Sequence, residues 1–124
     1  MSLVLIAIGG AGGAVARYLV DTFVSARIAG AFPWGTLVVN LSGSVVLGIL
    51  FAIVLEQGLL PSSARAALMV GFIGAYTTFS TLMLESWRLI EGGAPLLGLV
   101  NLAGSAALGL LAVVAGLAIG RAVG

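Results

Sequence analysis

Histidine, cysteine and lysine are all missing from this 124-residue chain, and its only charges are five arginines and four acids. Without His and Cys there is no imidazole or thiolate metal site, no thiol chemistry and no Ser-His-Asp relay. Charged residues make up 7% of the chain, against about 25% in an ordinary soluble domain. A net charge of +1 leaves no electrostatic footprint for nucleic acid. What fills the space is apolar: 61% hydrophobic residues and a mean hydropathy of +1.29. That is the composition of an integral membrane protein, with the lipid bilayer as its surroundings. The opening "MSLVLIAIGG" lacks the basic stretch that begins a signal peptide, so it is expected to stay as a membrane helix.

A helix needs roughly 20 apolar residues to cross the hydrocarbon core. The charges cut the chain into four such lengths, predicting an all-α membrane protein with one four-helix transmembrane domain over residues 1–124. The first span runs over 3–25, interrupted late by Arg17 and Asp21. The second covers 28–55 and is entered through "FPWG", with Pro33 suited to a helix start and Trp34 to an interfacial anchor. "QGLLPSS" reads as a turn, and the third span runs from Arg65 to Ile90. "EGGAP" is the next turn, and 96–119 form the fourth span. Loops this short make successive helices antiparallel neighbours. Arg65 and Arg121 fall on one side of the membrane and Arg17, Arg27 and Arg88 on the other. Two against three is a weak orienting bias. It leaves open one fixed topology or insertion both ways up, the latter permitting an antiparallel homodimer.

Residues four apart share a helix face. On the first helix that rule aligns Gly9, Gly13, Arg17 and Asp21. The glycines let another backbone come close, while Arg17 is placed either to pair with Asp21 or to reach for the interface. On the second helix it aligns Thr36, Asn40, Ser44 and Gly48. On the fourth it aligns Asn101, Ser105 and Gly109, with a small-residue seam at Ala112, Gly116 and Gly120. Packing accounts for the small residues. The asparagines need more, because an amide without partners in hydrocarbon costs about 2–7 kcal/mol. Asn40, with hydroxyls one turn to either side, reads as a step in a ladder of neutral donors. Such donors can hold a small hydrated ion and still release it. The positive edge of the Phe79 ring tilts the ladder toward an anion.

The stretch "GFIGAYTTFSTLMLES" holds Gly71, Gly74, Thr77 and Thr78 where lipid-facing helix is expected. These residues weaken helix, and a break near "GAYTT" would free backbone carbonyls in mid-membrane, tolerable only inside protein or along a cavity. Neutral carbonyls without carboxylates suit a weakly held monovalent cation better than Ca²⁺ or Mg²⁺. A glycine kink holding no ion is the other reading.

Three motifs, "GGAGGAVARY", "WGTLVVNLSGSVVLG" and "GFIGAYTTFSTLMLE", together resemble the small fluoride channels of the Fluc/CrcB family over essentially the whole chain. The resemblance implies an antiparallel dual-topology dimer of four-helix chains, with a break in the third helix. It further implies two fluoride pores and a structural Na⁺ at the dimer centre. By position, Gly74 and Thr77 match the carbonyls that hold the Na⁺, and Asn40 and Phe79 match fluoride-pathway residues. Ser80, Thr81 and Ser105 are candidates for a polar track, and Arg17 lies near a vestibule. Leu82 stands on the pathway where many members carry a second phenylalanine, and Asn101 where others can carry a tyrosine. The implied function is a fluoride-selective channel in the cell's inner (plasma) membrane, exporting cytoplasmic fluoride passively. Alternatives are one half of a heterodimeric fluoride channel, a silent structural subunit, or a small multidrug exporter. The exporter requires a membrane-embedded carboxylate, whereas the acids here sit near span ends. No enzyme is expected.

Overall fold

The computed structural model describes residues 2–124, and all its regular structure is helical. Four helices are long and apolar enough to cross a membrane: α1 (Ser2–Arg27), α2 (Trp34–Glu56), α3 (Ser62–Glu91) and α4 (Pro95–Val123). At 1.5 Å per residue, even 23 residues reach roughly 35 Å, beyond the ~30 Å hydrocarbon core. The helix ends follow local chemistry. Arg27 closes α1 by donating to the Phe23 carbonyl at 3.1 Å and stacking on the Phe23 ring at 3.5 Å. Gly30 and Gly93 take positive φ (117° and 93°) in the connections, which a side chain would disfavour. Pro33 and Pro61 directly precede α2 and α3, and Pro95 is the first residue of α4. The second helix therefore starts six residues later than the apolar run from 28 predicts. Gly30 and Pro33 turn residues 28–33 into a connection.

Glycines decide which helices touch. A Cβ on Gly9 or Gly13 would run into the backbone of Ala67 or Phe72, so α1 packs backbone to backbone on the first half of α3. Gly48, Gly116 and Gly120 do the same between α2 and α4. Gly98 brings α4 against the second half of α3, where a Cβ would lie 2.7 Å from the Ser86 carbonyl oxygen. The third helix thus changes partner midway, leaving α1 for α4. The change falls at Thr77 (φ −80°, ψ 155°) and Thr78 (φ −147°, ψ 120°), two extended residues between Tyr76 and Phe79.

Thr36, Val39, Ile73 and Tyr76 are buried near this crossing, while Ser86 and Asn101 are buried together between α3 and α4. Most large apolar side chains point outward, as in a chain whose solvent is lipid. The ends of α2 and α4 are joined by Arg121 and Glu56, which pair at 2.8 and 2.9 Å. Gln57 adds a bond to the Gly120 carbonyl at 3.0 Å. The ion pair is exposed, so solvent screens it and it ties the helix ends together without adding much stability.

Candidate functional site

An extended residue inside a membrane helix leaves its own N–H and C=O without helical partners, a loss that must be met by other groups. Thr78 meets it with one side chain. Asn40 on α2 donates from Nδ2 to the Thr78 carbonyl at 3.0 Å, and its Oδ1 accepts the Thr78 N–H at 2.8 Å. One amide thereby pairs both backbone groups, as a neighbouring strand would. Thr78 then caps the second half of α3, its Oγ1 accepting the Thr81 N–H at 3.3 Å and donating to Thr81 Oγ1 at 3.0 Å. Cap placement follows the ordinary preference for threonine just before a helix. The sequence marks Thr78 only as one of the residues that weaken the helix, and misses this role, although a Thr ahead of a helical run is a cap signal.

These bonds have a second consequence. In an unbroken helix the Thr78 N–H would serve the Gly74 carbonyl, and the Thr81 N–H the Thr77 carbonyl. Both N–H groups are engaged by side chains instead. The carbonyls of Gly74 and Thr77 lose those donors. Gly74 itself is helical and exposed, while Thr77 Oγ1 bonds back to the Ile73 carbonyl at 3.0 Å. Arg17 donates from Nε to the Ala75 carbonyl at 3.1 Å, so a further carbonyl of the crossing is met by a cation. Arg17 turns to that carbonyl and not to Asp21. The close packing at Gly9 and Gly13 brings the Ala75 carbonyl within its reach, and Asp21 accepts from Ser25 at 3.2 Å.

Beside the crossing, α2, α3 and α4 enclose a cleft of about 330 Å³. Asn40, Ser44, Thr77, Phe79, Leu82 and Ser105 are among its lining residues, and none of the lining residues is charged. The cleft therefore gathers Asn40, Phe79, Leu82 and Ser105 from the expected pathway. Phe79 is 74% exposed, its ring free of the chain's own core. The expected ladder on α2 divides: Asn40 and Ser44 line the cleft, Thr36 is buried toward α1, and Gly48 is spent on packing against α4. Thr81 faces away from the cleft, into a small gap shared with Arg17, Asp21 and Thr36. Ser80 is exposed and lies outside both spaces.

Behind Ser105, a buried polar chain links α4 to α3. Ser105 Oγ donates to Asn101 Oδ1 at 3.4 Å, Asn101 Nδ2 to Ser86 Oγ at 2.9 Å, and Ser86 Oγ to the Leu82 carbonyl at 2.8 Å. Ser86 as the partner of Asn101 was not foreseen. The two residues lie fifteen apart on different helices, and no spacing rule relates them.

The cleft is uncharged and lined by an amide, hydroxyls and an aromatic ring, groups weak enough to hold a small ion without trapping it. Comparison with known proteins places the chain among relatives of one kind. The family described as "CrcB-like protein, Camphor Resistance (CrcB)" matches residues 4–117. A Hahella chejuensis protein named "Fluoride-specific ion channel FluC" is 51% identical, covering 96% of this chain and 94% of its own length. Proteins from Magnetococcus marinus (44% identical, 98% of both chains) and Symbiobacterium thermophilum (47%, 97% and 98%) are named "Fluoride-specific ion channel FluC" and "Fluoride-specific ion channel FluC 1".

Proposed function

The chain belongs to the CrcB family, and from that membership we propose that it is a fluoride-selective ion channel, the activity its relatives are named for. It is a multi-pass membrane protein and not an enzyme. The observation that carries the mechanism is the uncharged cleft holding Asn40, Phe79 and Ser105 together. Asn40 Nδ2 spends one N–H on Thr78 and has a second to offer an anion. The Phe79 ring edge and the Ser44 hydroxyl supply further weak donors, and the Ser105 hydroxyl, whose proton rests on Asn101, lines the same path. No carboxylate lies there to repel fluoride or to couple it to protons, so movement follows the electrochemical gradient and exports fluoride from a loaded cytoplasm across the inner membrane. Arg17 draws anions toward the crossing, with Thr81 beside it, while Ser80 serves the exposed face.

The same crossing suits a structural Na⁺. The carbonyl oxygens of Gly74 and Thr77, deprived of helical donors, are neutral hard ligands. They are the groups that would hold the ion, which supplies a positive anchor between two chains. The nearly even division of arginines supports insertion both ways up, and hence an antiparallel homodimer. Leu82 supports a second reading, in which a paralogous chain supplies the missing ring. Fluoride release from liposomes containing only this chain tests the proposal, since a chain that needs a paralogue stays silent alone.

A further inference from the structure

Ser105 is the cleft hydroxyl on α4, and the direction of its proton is fixed from behind. A backbone carbonyl can only accept. Starting from the Leu82 carbonyl, Ser86 must therefore donate outward to it, leaving Ser86 Oγ to accept from the next group. That group is the amide nitrogen of Asn101. With its nitrogen committed to Ser86, the Asn101 amide turns its oxygen toward Ser105, which donates its single proton inward. Asn101 and Ser86 are each only 1% exposed, so no water competes for these partners and the amide has no cheap alternative orientation. Ser105 thus shows lone pairs to the cleft at rest. An anion gains the Ser105 hydrogen bond only by pulling the proton away from Asn101.

We infer that Asn101, oriented by Ser86, is a positioning residue that weakens anion binding at Ser105 and so speeds release from the cleft. The inference rests on the channel reading above. At 3.4 Å the inward bond is long, which makes Asn101 a competitor that an arriving fluoride can displace. Removing the competitor leaves the proton for the anion. A hydrogen bond to a charged partner is stronger than one between neutral groups, so an anion held by a freed Ser105 dwells longer.

The test is fluoride flux into liposomes against fluoride concentration, for wild type, Asn101→Leu and Ser86→Ala, each with and without Ser105→Ala. Asn101→Leu deletes the competing oxygen. Ser86→Ala frees the amide to turn its nitrogen toward Ser105, which then accepts and releases its own proton to the cleft. Both are expected to lower the half-saturating concentration, on the order of tenfold for Asn101→Leu, and to lower the maximal rate with it. In the Ser105→Ala background neither shift is expected. The inference is overturned if the half-saturating concentration of the folded variants stays at the wild-type value, or if it moves equally without Ser105. Should Asn101→Leu fail to fold, Ser86→Ala carries the same two outcomes. A wild-type chain that passes no fluoride on its own overturns the self-sufficient channel on which this inference rests, and the inference with it.

Discussion

Replacing Asn40 by leucine removes one side chain and strands two backbone groups. Leucine keeps the branched skeleton of asparagine in a bulkier form, so no cavity opens as the hydrogen bonds are lost. The Thr78 N–H and C=O, paired at 2.8 and 3.0 Å in the native chain, would face an apolar neighbour. Each unsatisfied group costs about 1–3 kcal/mol, giving roughly 2–6 kcal/mol for the pair. The lower part of that range is expected if water in the cleft reaches either group. Asn40→Asp keeps the acceptor for the Thr78 N–H but loses the donor and sets a negative oxygen against the Thr78 carbonyl. It should unfold between wild type and Asn40→Leu, and it should pass no fluoride because the charge stands in the path. Ser44→Ala is the control. It lines the same cleft without touching Thr78, and its effect on stability should stay within about 0.5 kcal/mol. Thermal or denaturant unfolding in detergent, alongside liposome flux, reads all three. The reasoning is refuted if Asn40→Leu unfolds at the wild-type midpoint, or if Ser44→Ala costs as much.

Phe79→Leu should remove most fluoride flux while leaving stability near wild type, because the ring is exposed and serves no core; normal transport would end its assigned role. Leu82→Phe should be tolerated or faster in flux assays, since it faces the cleft, whereas a packed core position would lose about 1–3 kcal/mol from overfilling. Gly13→Ala should destabilise by about 1–3 kcal/mol, because its Cβ would sit 2.9 Å from the Phe72 carbonyl carbon and 3.1 Å from its Cα. Gly10→Ala, whose nearest new neighbours are at 3.8 and 4.0 Å, should unfold like wild type. Reporter fusions at Gly124 should score on both sides of the membrane, and a single location would contradict insertion both ways up.

The four spans were legible because charge and proline are scarce and, Arg17 and Asp21 apart, cluster near the boundaries. Expected spans of 3–25 and 96–119 compare with helices Ser2–Arg27 and Pro95–Val123. Helical spacing also gave the packing seams, as Gly9 and Gly13 and Gly116 and Gly120 bear out in backbone contacts, though not the α2 ladder. Which group meets which across helices was not legible. Asn40 and Thr78 are 38 residues apart, and Arg17 and Ala75 are 58 apart. Spacing places a side chain on a face but says nothing of the crossing that brings a foreign carbonyl to it. Resemblance alone places Thr81 on the pathway with Leu82; neighbours on a helix face different ways, and Thr81 faces the gap beside Arg17 while Leu82 faces the cleft.

The central claim is that this chain alone forms a passive, fluoride-selective path. Purified protein in a planar bilayer, with unequal fluoride and equal chloride and pH on the two sides, tests it most directly. The account predicts a current that reverses at the fluoride equilibrium potential and stays there when chloride or pH is changed on one side. A reversal potential that follows chloride or protons, or no current while a bona fide CrcB relative conducts in the same bilayer, would contradict it.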